Sequence, residues 1–308
     1  MPGSQKMAKY CIASPHKDDT WYDYRLYLSL KQELSGLGHI HQAGAKNRIY
    51  FLGAPLKFHY PKVGEFDPSA NNIALIYCHF QKIENISQFD HVFVPSESVK
   101  KKFERKAFLD TLTLKKEKAF KTKRPIGIVR PFSSLEPNDD KLYKLECDIA
   151  FMGVPRLRPI VESAVKIVQK HDLSFKIIGA DWLAYPGNPD AINYCATDRI
   201  PYRHMPAFAN SAKIHLVDHH ASMKEYGAVS HKYIDLIKGG AFVISDDNPD
   251  AREYYRGEVF GNDDELEALI LRYLSDHQAR SAKVLEQQAI CKNQTSADAA
   301  YQLAKTFI

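Results

Sequence analysis

Lys232 and Asp235 stand three residues apart in the stretch Ser230-His-Lys-Tyr-Ile-Asp-Leu-Ile-Lys-Gly-Gly-Ala-Phe-Val-Ile-Ser-Asp246. The pattern predicts a helix that starts at Ser230, stops at Gly239-Gly240 and leads into a buried strand ending at Asp246-Asp247. A helix start presents free backbone N–H groups and the positive end of a dipole, which favour an anion. Lys232 adds a mobile positive charge there, and Asp235, one turn on, can accept hydrogen bonds from ribose hydroxyls. The set suits a nucleoside diphosphate. An ordinary αβ unit with a glycine stop fits the same local pattern equally well.

Other chemistry-bearing groups are sparser. Asp218-His219-His220 suggests a metal, yet no third ligand has helical or hairpin spacing to it, so His219 is better read as a contact to sugar or phosphate. Asp18-Asp19, Asp139-Asp140 and Asp263-Asp264 read as turn or cap residues, whereas Asp246-Asp247 ends a strand. No D-x-D triplet occurs, and no metal site is expected. There is no G-x-G-x-x-G after a strand and no Walker A, so neither a nicotinamide cofactor nor P-loop chemistry is supported. Trp182 and Tyr202 either border a base or fill gaps between helices; filling is the better reading.

These residues need a scaffold, and the hydrophobic pattern supplies one. Strands are expected at Tyr10–Ser14, Arg48–Leu52, Ile73–Cys78, His91–Pro95 and Pro125–Pro131, with helices from Tyr22 to Leu37 and after Ser96-Glu-Ser98. Phe132–Glu146 is polar and reads as a linker. Strand–helix alternation then restarts: strands at Cys147–Gly153, Phe175–Gly179 and Lys213–Val217, helices at Pro159–His171 and Ala207–Ser211, a segment Val259-Phe260, and helix from Asp263 to Asp276. Gln278–Ile308 is expected to be helical. Near-continuous apolar strands alternating with helices predict α/β architecture with parallel sheets covered on both faces. The expected layout is two doubly wound, Rossmann-like domains, 1–140 and 141–308, whose strand carboxyl ends surround a cleft, with a terminal helix crossing back to the first domain.

Bulk properties agree with such a protein. Of 308 residues, 44% are hydrophobic and 26% charged, with a formal net charge of +5. No apolar run approaches the roughly 20 residues needed to span a bilayer. The first residues lack the apolar core of a signal peptide, and the five scattered cysteines form no C-x-x-C; a reducing cytoplasm is expected. The charge is uneven, with eleven Lys/Arg against three acids between Lys100 and Arg124. That run is either a solvated helical face or a surface for phosphates, on lipid headgroups or nucleic acid.

The second half resembles the C-terminal domain of GT-B glycosyltransferases, most closely the CgeB-like (spore-maturation-type) branch of the group 1 family. The resemblance is carried by Asp148-Ile-Ala-Phe-Met-Gly153, Phe175-Lys-Ile-Ile-Gly-Ala-Asp-Trp182, Met205-Pro-Ala-Phe-Ala-Asn-Ser-Ala-Lys-Ile214, Ser230–Asp246 and Pro249-Asp-Ala-Arg-Glu253. It covers about half of the chain; the first half matches more loosely, through the helix ending Leu34-Ser-Gly-Leu-Gly-His39. The resemblance implies a C-terminal domain that binds a nucleoside-diphosphate sugar, used as donor substrate without a cofactor, and an N-terminal domain that presents an acceptor hydroxyl. It places Lys232 against the donor diphosphate at the helix capped by Ser230, and Asp235 where the family has a ribose-binding Glu. Gly153 falls where backbone approaches the phosphates, with Arg156 and Arg158 just beyond and His219 near the donor sugar. In this architecture the first βα loop, with His16 and Asp18, faces the acceptor, as does His79 after its strand; these are candidates for the catalytic base. The E-x7-E of retaining relatives is not met: eight residues before Asp235 stands Gly227, and Glu225 is two residues too early. The expected activity is metal-independent sugar transfer in cell-surface polysaccharide biosynthesis. The expected location is cytoplasmic, peripheral at the inner membrane face, with a lipid-linked glycan acceptor. DNA, as in phage base-modifying transferases, and a non-catalytic two-domain binder are the alternatives.

Overall fold

The computed structural model describes residues 7–13, 22–52, 66–83, 85–112 and 119–308. The chain forms two compact units: Met1–Ser134 with Ala221–Ala228 and Gln294–Ile308, and Leu135–His220 with Val229–Asn293. The division falls at Ser134/Leu135, near the start of the polar stretch. Phe132 packs into the first core, whereas Leu135 and Leu145 already bury themselves in the second.

In the first unit β1 (Lys9–Ala13), β2 (Ile40–His41), β3 (Asn47–Leu52), β4 (Asn71–Ile76), β5 (His91–Val94) and β6 (Gly127–Ile128) form one parallel sheet in the order β2-β1-β3-β4-β5-β6. Every residue of β4 is buried, as a strand covered on both faces requires. The helix α1 (Tyr22–Gly36) lays Leu26, Leu30 and Leu34 into the core at helical spacing. The basic helix α2 (Glu97–Leu112) buries only Val99, Phe103 and Asp110. Its N-cap Ser96 accepts from the Val99 N–H (3.2 Å) and donates to the Gly227 carbonyl (2.5 Å).

Two distant segments complete this unit. The short helix α5 (Ala221–Tyr226) contributes Met223 and Tyr226 to its core. The last helix, α10 (Ser296–Ala304), starts in a Thr295/Asp298 capping box and packs on α1. Beyond it, Asn71 donates to the Thr306 carbonyl (2.8 Å), and Asn47 exchanges hydrogen bonds with the backbone of Ile308.

The second unit is the more regular. Its strands are β7 (Cys147–Met152), β8 (Phe175–Ile178), β9 (Cys195–Thr197), β10 (Ala212–Val217), β11 (Val243–Asp246) and β12 (Glu258–Phe260). They lie parallel in the order β12-β11-β10-β7-β8-β9. The chain winds outward from β7 to β9, then returns to build β10–β12 on the other side. The winding therefore reverses between β7 and β10, and open α/β sheets bind ligands outside the carboxyl ends of such strands.

The helices here are α3 (Pro159–His171), α4 (Met205–Ala209), α6 (His231–Lys238), α7 (Pro249–Glu253), α8 (Asp263–Ser275) and α9 (His277–Ile290). The first of them begins with Pro159 and packs Ile160, Val161, Ala164, Val165 and Val168 against Ile149 and Phe151. The expected stop of α6 is real: Gly240 is left-handed (φ +99°), and Ala241 N–H returns to the Leu236 carbonyl (2.9 Å). The expected helical run from Gln278 is interrupted between Ile290 and Ser296, where the chain passes from the second unit to the first.

Candidate active site

The chemistry gathers at the carboxyl ends of β7 and β10. Past β7 the chain runs through Gly153 to Arg156 and Arg158 before α3 begins; past β10 comes Asp218. The Arg158 guanidinium donates to both oxygens of Asp218 (2.6 Å each) and, through Nε, to the Val154 carbonyl (2.7 Å). Arg156 donates to the same carboxylate (3.1 Å) and lies 3.0 Å from His220 Nδ1. From the first turn of α6, Lys232 Nζ donates to the Met152 carbonyl (2.7 Å) and stands 3.9 Å from Asp218. Phe151 forms a common floor, its ring 5.1 Å from both Arg158 and Lys232.

Three cations against Asp218, with Asp246 as a second and more distant carboxylate, leave an excess of positive charge in a largely buried place. Burial works to raise the pKa of Asp218, but Lys232, Arg158 and Arg156 together outweigh it and hold the carboxyl below its ordinary range. Burial pushes Lys232 down to about 8 against the pull of Asp218, and it lowers Arg158. An excess of fixed cations of this kind can attract an anion such as a phosphate.

Glycines set how closely backbone and ligand can approach. A Cβ on Gly153 would meet the Arg158 guanidinium at 2.9 Å. Gly179, at the end of β8, is in the left-handed region (φ +156°), and a Cβ there would stand 2.0 Å from the Gly153 carbonyl oxygen. That carbonyl also accepts from the buried Trp182 indole (2.9 Å). Trp182 is thus a filling residue that also fixes the Gly153 turn, and its indole has this structural partner.

A second pair sits next to the cluster. The Asp246 carboxylate, at the end of β11, accepts from the His219 main-chain N–H (3.1 Å) and lies 2.7 Å from ring Nδ1. An ionised Asp246 selects the Nδ1–H tautomer and leaves Nε2 as the acceptor. Nε2 is fully buried and has no hydrogen-bond partner among the described residues.

On α6, Ser230 spends its hydroxyl as the N-cap, accepting from Tyr233 N–H at 3.3 Å. Asp235 accepts from the Tyr202 hydroxyl (2.9 Å), so Tyr202 orients a carboxylate. Gly227 is left-handed (φ +68°) and Glu225 is exposed on α5. His79 stands just past β4 of the first unit in a left-handed conformation (φ 49°), with burial and then Lys82 lowering its pKa. His16 and Asp18 lie outside the described residues.

Gly153, Arg156, Arg158 and Lys232 therefore come together, with His219 one residue away from the shared Asp218. The organising roles of Asp218 and Asp246 were missed. Their signal was position, since each ends or directly follows a strand, but the triplet Asp218-His219-His220 drew attention to metals instead. A cavity of about 830 Å³ opens at the opposite, amino end of the same sheet, lined by Lys213, Phe242 and Arg280, and takes no part in the cluster.

Residues 156–304, nearly half of the chain, match a family model described as glycosyl transferase-like. No curated sequence matches the chain. Among solved structures, an α-glucosyltransferase in complex with UDP and a 13-mer DNA containing a HMU base is similar over 97% of this chain and 100% of its own (TM-score 0.65, 8% identity). AviGT4, a glycosyltransferase involved in avilamycin A biosynthesis, is similar over 97% and 96% (TM-score 0.59, 12% identity). A UDP-forming α,α-trehalose-phosphate synthase from Burkholderia xenovorans is similar over 94% and 79% (TM-score 0.57, 9% identity). At these identities the likeness establishes the fold, which is GT-B. With that fold along the whole chain and a glycosyl transferase-like domain over residues 156–304, the chain is a glycosyltransferase.

Proposed function

We propose that this glycosyltransferase takes its sugar from a nucleoside diphosphate held at Arg156, Arg158 and Lys232, and transfers it to the hydroxyl of a membrane-borne, lipid-linked glycan in cell-surface polysaccharide synthesis. The observation that carries the donor half is the excess of positive charge at the switch between β7 and β10. As the glycosidic bond breaks, the leaving diphosphate gains negative charge. Cations already fixed by Asp218 and the Met152 carbonyl stabilise it without reorganising, and one such contact is worth roughly 3 kcal/mol. The same charges do the work of a divalent ion, which makes transfer metal-independent. Asp235, steadied by Tyr202, receives the ribose hydroxyls, and the buried His219 holds Asp246 in place beside the donor sugar. His79, kept neutral by burial, is in the protonation state a base requires, and His16 and Asp18 are further candidates for that role.

DNA is the second reading of the acceptor, favoured by full-length fold similarity to the α-glucosyltransferase in complex with UDP and DNA. The deciding experiment supplies a panel of nucleotide sugars with chelator present and measures release of free nucleotide, with lipid-linked glycan or duplex DNA as acceptor. Release with at least one donor, undiminished by chelator, supports the proposal. Tight nucleotide binding with no turnover of any donor would identify a non-catalytic binder, and turnover abolished by chelator would remove metal independence.

A further inference from the structure

The basic helix α2 has an outer face that nothing in the donor chemistry uses. Its exposed large apolar side chains are Phe108, Leu109 and Leu112, at 61%, 46% and 62% exposure, all in the last turn and a half. At the helical pitch, Lys101, Arg105, Phe108 and Leu112 fall within an arc of about 60°, directly opposite the buried Val99 and Phe103. Leu109 borders that arc. Glu97 and Glu104 are the acids on the outer face, the first at the helix start and the second mid-helix, one turn before Phe108; Asp110 faces inward and is buried.

The neighbouring cations are not all free to reach outward. Lys102 and Lys106 lie over the Tyr226 ring at 4.9 and 5.3 Å, Lys106 also covers Phe120 at 4.8 Å, and Lys102 donates to the Glu225 carbonyl. Their ammonium groups are turned toward these partners and away from the outer face. The face therefore carries apolar tips at its carboxyl end, with Lys101 and Arg105 on the preceding turns.

We infer that this face docks on an anionic lipid bilayer, an inference that rests on the membrane-borne acceptor of the proposed function. Phe108 and Leu112 enter the acyl boundary, and Lys101 and Arg105 sit at headgroup level, the arrangement that holds interfacial helices. Duplex DNA offers phosphates to the cations but nothing to exposed Phe and Leu tips.

The test sediments the full chain with vesicles of phosphatidylcholine alone or mixed with phosphatidylglycerol. Binding to the mixed vesicles should exceed binding to the neutral ones by about tenfold or more and fall with salt. Phe108→Ser with Leu112→Ser should weaken it by about tenfold or more, from lost apolar burial. Lys101→Glu with Arg105→Glu should weaken it at least as much and reduce the salt dependence. Equal pelleting with both vesicle types overturns the inference, as does binding that survives either double substitution. Duplex-DNA binding lost in the charge variant but kept in the apolar variant would give the face to nucleic acid and also overturn it. Calorimetry with UDP on the same samples checks that the variants are folded. It also separates the two proposals: lost vesicle binding with intact UDP binding removes only the docking face, and the reverse removes only the donor site.

Discussion

Asp218 holds three cations in place, and removing its charge should have two separable effects. Asp218→Asn leaves Arg156, Arg158 and Lys232 facing one another across a largely buried space. Breaking a buried pair in this way typically costs about 3–5 kcal/mol, so the melting temperature should drop. The freed charges also await an anion, so saturating UDP should raise the melting temperature of the variant by more than that of the wild type. An equal or smaller rise would show that the cluster is structural and not an anion site. Lys232 permits a sharper measurement. With its pKa near 8, the amine loses its charge as pH rises through about 8, and donor affinity should fall over the same range. A bound diphosphate stabilises the charged form, so binding at about pH 8.5 must take up protons. The binding enthalpy should then depend on the ionisation heat of the buffer, and Lys232→Met should abolish that dependence. Lys232, Arg156 and Arg158 were legible in the sequence as isolated cations near a helix start and a strand end. Their common partner was not, because Asp218 lies some 60 residues away from the arginines and its meaning exists only once β7 and β10 are adjacent.

Elements were easier to read than their ends. The long apolar strands and α1, α3, α6 and α8 follow directly from periodicity and caps, since each buries a face large enough to dominate the local pattern. The elements missed were β2, β9, α5 and α7, of two to six residues, with β9 exposed along its whole length; such pieces exist because neighbours hold them. Burial within a well-read element also makes a prediction. His215 on β10 is fully buried, lies 3.0 Å through Nε2 from the Ala209 carbonyl, and is pushed down to about 4 by burial. The imidazole is neutral in the fold, while in the unfolded chain it takes a proton near its ordinary value of about 6.5. Its contribution is therefore complete above about 6.5 and is lost as pH falls from there through about 4, on the order of 3 kcal/mol. His231 is pushed further down by burial, to about 3, and adds to the same loss. Urea unfolding across that range should show stability falling with acid, and His215→Gln, though less stable at neutral pH, should flatten the slope. An unchanged slope would assign the acid limb to other groups.

At the scale of the whole molecule, the chain does not keep its two units as two continuous halves. Residues 221–228 belong to the first unit, yet they join Asp218–His220 to Ser230–Lys232, two segments of the proposed donor cluster. Local pattern gave no hint of this excursion. A six-residue helix with one aromatic looks like any loop, and its allegiance is decided by Tyr226. That ring stacks on Phe80 at 5.3 Å, meets Phe103 edge-on at 6.1 Å and lies beneath Lys102 and Lys106. The excursion is fixed at its far end by the Ser96 hydroxyl on the Gly227 carbonyl. Because only a few residues separate this anchor from Asp218 on one side and Lys232 on the other, loosening it should disturb residues it never touches. Tyr226→Ala should cost about 3–5 kcal/mol of stability, as expected for losing a buried ring. Well below the melting temperature of the variant, where both units remain folded, UDP affinity should still fall severalfold. Tyr226→Phe keeps the ring contacts and should keep both stability and affinity near wild type. UDP affinity unchanged in Tyr226→Ala would mean that the donor cluster holds its geometry without the anchor, and that the excursion serves the first core alone.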